Sequence, residues 1–454
     1  MAPLPIMSVS GIRGLYPEVL TEEFVSAIAY IQTMHAGGAK RMIVGRDTRP
    51  SGPAIEKAIC RGIRAAGGTP VSIGIAPTPT TCFAVAHGAA DGGVIITASH
   101  NPLPYNGYKM VHRHGRLFSG AECDAVYEAF EQGDYPSAPE FLRYDGSPAE
   151  KVDAVTPHID AICDAVDTAA IAAADLHVAV DAINGAAGVI FPALLTRLNV
   201  SWEGVHTKLD GDFVHNPEPR PEHLGDLAAL LGSKDGFCGG FVYDPDADRL
   251  ALMGEKGEAV SEEMTLVLAL ENVLERTPGN IATNLSTSMV IDDVADAYGV
   301  SVYRTKIGEA NVVEAIQREE CRIGGEGNGG VIFPEISTVR DGLGATALIL
   351  ELLAKRATTV MGLTGKWTEY PLVKEKVAVS SRSEAEELLG AAERYFAQKG
   401  AKIDTQDGVK ITYPDGWVHV RASNTEPILR CYAEGKDYTR AEQYAQEVLH
   451  FLKK

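Results

Sequence analysis

The apolar positions of the chain fall into short runs separated by polar loops and mixed-polarity segments of helical period, and one order of elements recurs three times. Residues 41–45 read as a buried strand. A polar loop follows, then a helix over 53–66, a glycine pair and a second strand over 70–74. Residues 177–181 begin a second copy, with Asn184-Gly185 in the loop, a helix to about Leu198 and a strand over 200–205. Residues 280–284 begin a third. Ser286-Thr287-Ser288 supply cap-type residues, Gly299 ends the helix, and 300–304 form the closing strand. Strand, loop, helix, glycine and strand make a βαβ unit, so three related α/β domains are expected.

The joints follow from composition. Residues 134–148 are rich in Pro, Gly and Ser and read as a linker, and an amphipathic helix over 149–167 leads into the second copy. Lys256-Gly257 reads as a hairpin turn between the second and third units, and Gly362 to Gly365 breaks the pattern again. The remainder differs: a strand over 372–379, a helix over 383–399, several short strands and a helix over 438–452. The fold class is therefore α/β, with three related α/β domains of mixed sheets (1–148, 149–255 and 256–368) and a C-terminal α+β domain (369–454).

A net charge of −20 argues against nucleic-acid or anionic-membrane partners, while leaving room for a locally basic pocket that takes a small anion. Seven scattered cysteines without a CxxC pair read as reduced thiols in a cytoplasmic protein. No stretch has the length of a membrane span, and no signal peptide is expected.

Four loops carry candidate chemistry. The first, Thr97-Ala98-Ser99-His100-Asn101-Pro102, follows an apolar strand at 93–96, where an open α/β sheet places its reactive groups. By itself it leaves Ser99 as either a reacting hydroxyl or a turn residue. His100 is either a partner of that hydroxyl or a brace for the loop. The second, Asp244-Pro245-Asp246-Ala247-Asp248-Arg249, follows the strand at 239–242. Its alternating carboxylates can converge on one hard cation. It is not a calcium EF-loop, because Arg249 stands where glycine is required and the flanks are strands. Magnesium suits it better, since three carboxylates leave positions for a phosphate oxygen or water.

The third loop, Gly324-Gly325-Glu326-Gly327-Asn328-Gly329-Gly330, lets a ligand approach the backbone, with Glu326 and Asn328 as hydrogen-bonding groups; a glycine hinge is the alternative. It matches neither the Walker nor the dinucleotide pattern. The fourth, Arg421-Ala422-Ser423-Asn424-Thr425-Glu426-Pro427, reads as a phosphate-binding loop or as an ordinary strand-to-helix turn. Arg13, Arg46, Arg49 and Lys109 lie beside glycines or turns and, singly, read as surface cations. Lys306 and Glu309 are positioned to face a ligand.

In this order the motifs, with Ser10-Gly11-Ile12-Arg13-Gly14, resemble the α-D-phosphohexomutase superfamily over nearly the whole chain. The resemblance implies four domains around a central cleft, each giving one loop. It implies that Ser99 is phosphorylated and that Asp244, Asp246 and Asp248, with an oxygen of that phosphate, hold one Mg2+. It implies sugar contacts from Glu326 and Asn328, and a grip on the non-reacting phosphate from Arg421, Ser423, Asn424 and Thr425. Arg13 and Arg249 then stabilise the phosphoryl group in transfer, and Lys109 or His100 moves the hydroxyl proton. The expected reaction interconverts a hexose 6-phosphate and 1-phosphate through a bisphosphorylated sugar, which also serves as activator. The expected partner is the phosphorylated hexose alone, and the expected state a monomer or homodimer. Many relatives read Gly-Glu-x-Ser-Gly-His in the sugar loop. Here Asn328 and Gly330 replace Ser and His, a version similar to that of archaeal-type and Bacteroidetes-type phosphoglucosamine mutases. Asn424 is more like phosphomannomutase/phosphoglucomutase members. Glucosamine phosphate is the expected substrate, with mannose or glucose phosphate as the alternative. A sugar phosphatase and a non-catalytic binder remain as rivals.

Overall fold

The computed structural model describes residues 4–453 apart from 9, 39 and 424–426. The chain forms two compact units: Met1–Thr277 with Arg322–Lys366, and Pro278–Cys321 with Trp367–Lys454.

The first unit holds a seven-stranded mixed sheet in the order Ile6–Ser8, Gly11–Leu15, Tyr105–His112, Gly92–Ile96, Arg41–Arg46, Thr69–Ile75 and Glu150–Lys151. Arg41–Arg46 pairs in parallel with both Gly92–Ile96 and Thr69–Ile75. Strands covered on both faces read as continuous apolar runs, which is why 93–96 stands out in the sequence. Helices Glu22–His35 and Gly52–Ala65 share one core with the sheet through Ile28, Ile55, Ile59, Val44 and Ile96. Their backbones approach closely at Gly62, where a Cβ would fall 2.1 Å from the carbonyl oxygen of Ser26. Helix Thr78–His87 packs through Cys82 and Val85 against Ile43 and Ile95.

A second sheet of the unit runs Leu250–Met253, Gly239–Tyr243, His177–Asp181 and Ser201–Val205, parallel except at its first pair. Helices Glu263–Arg276 and Gly342–Arg356 and the hairpin Ile323–Glu326/Gly330–Ile332 complete the unit. All seven cysteines are free and buried.

The second unit contains the parallel pair Ile281–Asn284 and Val302–Thr305, helices Val290–Tyr298 and Glu309–Arg318, and a five-stranded antiparallel sheet. That sheet runs Leu372–Ala378, Ile428–Gly435, Gly416–Ala422, Val409–Tyr413 and Lys402–Asp404. Helices Arg382–Gln398 and Tyr438–Leu452 pack on it through Phe396, Ala392, Val448 and Leu449.

All three parallel strand pairs of the repeat are present, and the last domain is α+β with an antiparallel sheet, as the pattern predicts. Local departures have local causes. The proline-rich stretch at 134–148 contains helix Ala138–Phe141, because Phe141 is buried and sits edge-on to Tyr30 at 6.3 Å. The helix expected over 149–167 is only Val155–Asp164. Glu150–Lys151 pairs with Val71 and Ser72 at the sheet edge, and the Asp153 side chain accepts from the N–H groups of Val155 and Thr156. The third-repeat helix starts at Val290 rather than at Ser286, since the Asn284 side chain accepts from the Ser286 N–H and turns the chain first. The break read at Gly362 to Gly365 falls within and just after helix Val360–Thr364, which Thr359 caps.

Candidate active site

Ser99 sits just past strand Gly92–Ile96 with φ +48°, a backbone region that a non-glycine residue enters only when its surroundings enforce it. The enforcing group is Arg49. Its Nη2 donates to the carbonyls of Ser99 (2.7 Å) and Asn101 (2.6 Å), and its Nη1 to those of Pro102 (3.1 Å) and Tyr105 (2.8 Å). Asp47 holds the guanidinium from behind at 3.0 Å. Arg49 is 1% exposed, which corrects its reading as a surface cation. Arg13 braces the same loop by donating to Asn101 Oδ1 at 2.7 Å. His100 Nδ1 lies 3.3 Å from Ser99 Oγ, and no hydrogen bond from this ring to the backbone is found among the described residues.

The Asp loop joins antiparallel strands Gly239–Tyr243 and Leu250–Met253 in a tight turn with Ala247 at φ +52°. All three carboxylates are fully buried. Ser99 Oγ donates to Asp244 Oδ2 at 3.1 Å, so the first two loops meet at these side chains. Asp246 Oδ2 accepts from Thr78 Oγ1 (2.6 Å) and Lys109 Nζ (2.7 Å). Asp248 Oδ2 accepts from Arg340 Nη2 at 2.6 Å and lies 3.5 Å from Lys109 Nζ. The opposite oxygens, Asp246 Oδ1 and Asp248 Oδ1, are buried with no hydrogen-bond partner among the described residues. One ligand atom from each of the three acids lies within 4.8 Å of the others.

Burial and the neighbouring Asp248 and Asp246 push the Asp244 carboxyl well above its ordinary range. Burial pushes Asp246 the same way, but Lys109 and Thr78 outweigh it and hold the group below that range. Asp248 is lowered too, with Arg340 opposing its burial. Buried carboxylate oxygens without hydrogen-bond partners are costly, and a hard divalent cation with oxygen preference removes that cost. The residues therefore fit a metal such as Mg2+.

The glycine loop is a tight hairpin between Ile323–Glu326 and Gly330–Ile332, not a hinge. Glu326 accepts from Arg340 Nη1 at 2.7 Å, so one guanidinium bridges the sugar-loop acid and the metal-loop acid. A Cβ on Gly330 would fall 2.2 Å from Arg340 Cδ. Asn328 Oδ1 accepts from the Gly330 N–H at 3.3 Å and stays in the hairpin turn. Asp341 positions Arg340: it caps helix Gly342–Arg356, bonds His158 Nε2 at 2.9 Å, and its neighbour Gly342 donates to the Ala247 carbonyl in the Asp loop. The sequence carries no local signal for Arg340.

In the second unit, Glu309 opens helix Glu309–Arg318 and is buried, and Lys306 follows strand Val302–Thr305. Arg421 lies near the end of strand Gly416–Ala422 and Ser423 just after it, and the chain returns as strand Ile428–Gly435, so a strand rather than a helix follows this loop. Arg421 stands opposite Arg430, which stands opposite Lys376 on the next strand. This cross-strand row of three cations depends on strand register and has no local signal in the sequence. Asn424 and Thr425 lie outside the described residues.

Four sequence patterns match in order: Phosphoglucomutase/phosphomannomutase alpha/beta/alpha domain I over 6–137, domain II over 156–257, domain III over 261–370 and the C-terminal domain over 373–451. The chain belongs to the phosphoglucomutase/phosphomannomutase family. Within this α-D-phosphohexomutase superfamily it is 37% identical to a Thermococcus kodakarensis "Phosphoglucomutase/phosphomannomutase", over 96% of each chain. It is 34% identical to a Methanopyrus kandleri "Probable phosphoglucosamine mutase", over 98% of this chain and 97% of the relative. The solved structure of a Burkholderia thailandensis phosphoglucomutase/phosphomannomutase family protein superposes with a TM-score of 0.86 at 27% identity, covering 99% of this chain and 97% of that one. The chain is accordingly a phosphohexomutase, an isomerase that transfers a phosphoryl group within a sugar phosphate. Among the described residues no helix is long and apolar enough to cross a membrane.

Proposed function

We propose that the protein interconverts the 6- and 1-phosphates of glucosamine, with Ser99 as the phosphate carrier and a bisphosphorylated sugar as the intermediate. The observation that carries this reading is the 3.1 Å contact of Ser99 Oγ with Asp244 at the edge of the buried triad. Phosphoryl transfer depends on positioning and charge neutralisation, and this loop is fixed for both. Arg49 holds the Ser99 backbone, so Oγ is presented in one orientation. Asp244, Asp246 and Asp248 would hold magnesium, which when bound offsets charge on the phosphoryl group in transfer.

Arg13 and Arg249 add positive charge beside the same loop, and both depress the His100 imidazole. Burial is the larger cause, and the ring falls to about 3 and stays neutral. Neutral His100 beside Ser99 Oγ is the group that accepts a proton. Lys109, held by Asp246 and Asp248, acts as a fixed cation. Glu326 and Asn328 contact sugar hydroxyls, with Lys306 and Glu309 as further ligand contacts. Arg421 and Ser423, reinforced by Arg430 and Lys376, and with Asn424 and Thr425, hold the phosphate that is not reacting.

Glucosamine phosphate is favoured by the Asn328 and Gly330 form of the sugar loop and by relatives named phosphoglucosamine mutase. Glucose or mannose phosphate is the second reading. It is favoured by the 37% identity to the Thermococcus kodakarensis protein and by Arg340, which offsets the charge that Glu326 would offer an amine. Protein incubated with a hexose 1,6-bisphosphate labelled in phosphorus should carry the label on the Ser99 peptide. Turnover should need that bisphosphate and release no free phosphate. Label absent from Ser99 during turnover would sink the mechanism. A kcat/KM at least ten-fold higher on glucose or mannose phosphate than on glucosamine phosphate would select the second reading.

A further inference from the structure

Away from the Asp triad, Asp181, His206 and His215 bring one ligand atom each within 4.8 Å of one another. Asp181 ends strand His177–Asp181, His206 directly follows strand Ser201–Val205, and His215 lies in the loop beyond. His206 Nδ1 is 3.1 Å and His215 Nε2 is 3.2 Å from the same oxygen, Asp181 Oδ2. Bonds of about 2 Å to a tetrahedral zinc ion set neighbouring ligands a little over 3 Å apart.

The outward nitrogen of each ring is also engaged. His206 Nε2 meets the Asp226 carboxylate at 3.0 Å, and His215 Nδ1 meets the Asn216 main-chain carbonyl at 2.8 Å. A ligating histidine almost always donates its other N–H to a carboxylate or a backbone carbonyl, which fixes ring and tautomer. Both histidines here have such a partner, one of each kind. Without a cation, both inward nitrogens must donate to the single Asp181 Oδ2. A divalent cation takes the place of those two protons at equal charge. Asp181 is fully buried, while both imidazoles retain some exposure, so an ion can reach the site from solvent.

We infer that Asp181, His206 and His215 form a second metal site, selective for a borderline transition ion such as Zn2+ and separate from the all-carboxylate triad. Two imidazoles and one carboxylate suit zinc, whereas three carboxylates suit magnesium. The two sites share no ligand. Bound zinc would tie the segment carrying His206 and His215 to the end of its central strand.

The test uses the full-length protein in excess MgCl2, dialysed against micromolar ZnCl2, with bound zinc counted by mass spectrometry. One zinc per chain is expected, retained in Asp246→Asn and bound at least ten-fold more weakly in His206→Gln and His215→Gln. Co2+ added in place of zinc should give the intense visible absorption of a tetrahedral site. The inference is overturned if the wild-type protein binds no zinc, or if binding is lost in Asp246→Asn but not in the histidine variants. Should the histidine variants fail to fold, a cobalt spectrum of the weak octahedral type in the wild-type protein overturns it equally. None of these readouts depends on the identity of the sugar.

Discussion

Arg340 and Asp248 form a buried ion pair at 2.6 Å, and the same guanidinium reaches Glu326 at 2.7 Å. Removing one partner of a buried pair leaves an uncompensated charge, at a cost of about 3–5 kcal/mol. Arg340→Met should therefore lower kcat/KM by roughly a hundred-fold or more. Because Glu326 is paired to the same group, Glu326→Gln combined with Arg340→Met should cost less than the sum of the single changes. The expected coupling is about 1–3 kcal/mol in a double-mutant cycle on kcat/KM. Strictly additive losses would mean that the guanidinium does not link the two acids. Gly330→Ala, whose Cβ meets Arg340 Cδ, should reproduce part of the Arg340 defect.

Arg49→Lys keeps the charge and removes the fork. Lysine cannot span the four carbonyls that Arg49 Nη1 and Nη2 reach, and each unsatisfied buried carbonyl costs about 1–3 kcal/mol. Ser99 is then free to leave its left-handed conformation. The expected signature is a fall in kcat of at least ten-fold with KM changed much less, alongside a lower melting temperature. An unchanged kcat would show that the clamp does not position Ser99.

These two arginines mark where the sequence stops being legible. The serine loop and the Asp triad are local patterns, with their chemistry written in consecutive residues. The repeats are legible because a buried parallel strand must be apolar on both faces. Arg49 is visible as a loop arginine, but its burial exists only once residues 99–105 fold over it. Arg340 lies between strand Gly330–Ile332 and helix Gly342–Arg356, and acquires its role from Asp248 and Glu326, far away in sequence. The row of Arg421, Arg430 and Lys376 needs the register of three strands. Residues 150–151 join a sheet edge that composition does not reveal.

The second unit should weaken as pH falls. His419 is buried and neutral, its Nε2 donating to the Asp407 carbonyl at 2.6 Å and its Nδ1 accepting from Ser286 Oγ at 2.7 Å. Burial lowers the ring from 6.5 to about 4. The unfolded chain therefore binds the extra proton first. Stability contributed by neutral His419 is complete above pH 6.5 and declines as pH drops toward 4. The loss is roughly 3 kcal/mol at most. It should appear as faster amide exchange, corrected for intrinsic rate, in strands Gly416–Ala422 and Ile428–Gly435. His419→Gln, which keeps one donor and one acceptor, should flatten the profile; an equal slope in that variant would assign the effect elsewhere.

Lys109 separates the metal-free from the metal-loaded protein. Its Nζ lies against the Oδ2 atoms of Asp246 and Asp248, while the Oδ1 atoms of both have no hydrogen-bond partner among the described residues, with Arg249 Nε 3.8 Å from that of Asp248. The lysine is hydrogen-bonded to the Oδ2 side of the cluster, and the Oδ1 atoms remain to hold a cation. Lys109→Met should destabilise the metal-free protein strongly, because the buried acids lose a counter-charge within 3.5 Å. Excess MgCl2 should recover part of that loss, since losing the competing lysine charge tightens magnesium binding to the variant, and each ten-fold gain in affinity adds about 1.4 kcal/mol to it over wild type at saturation. Melting curves of wild type and Lys109→Met, with EDTA and with MgCl2, supply the check. The gap between the two proteins should be wide in EDTA and narrow in magnesium. A gap of the same width in both would place the cation away from the triad that Lys109 serves.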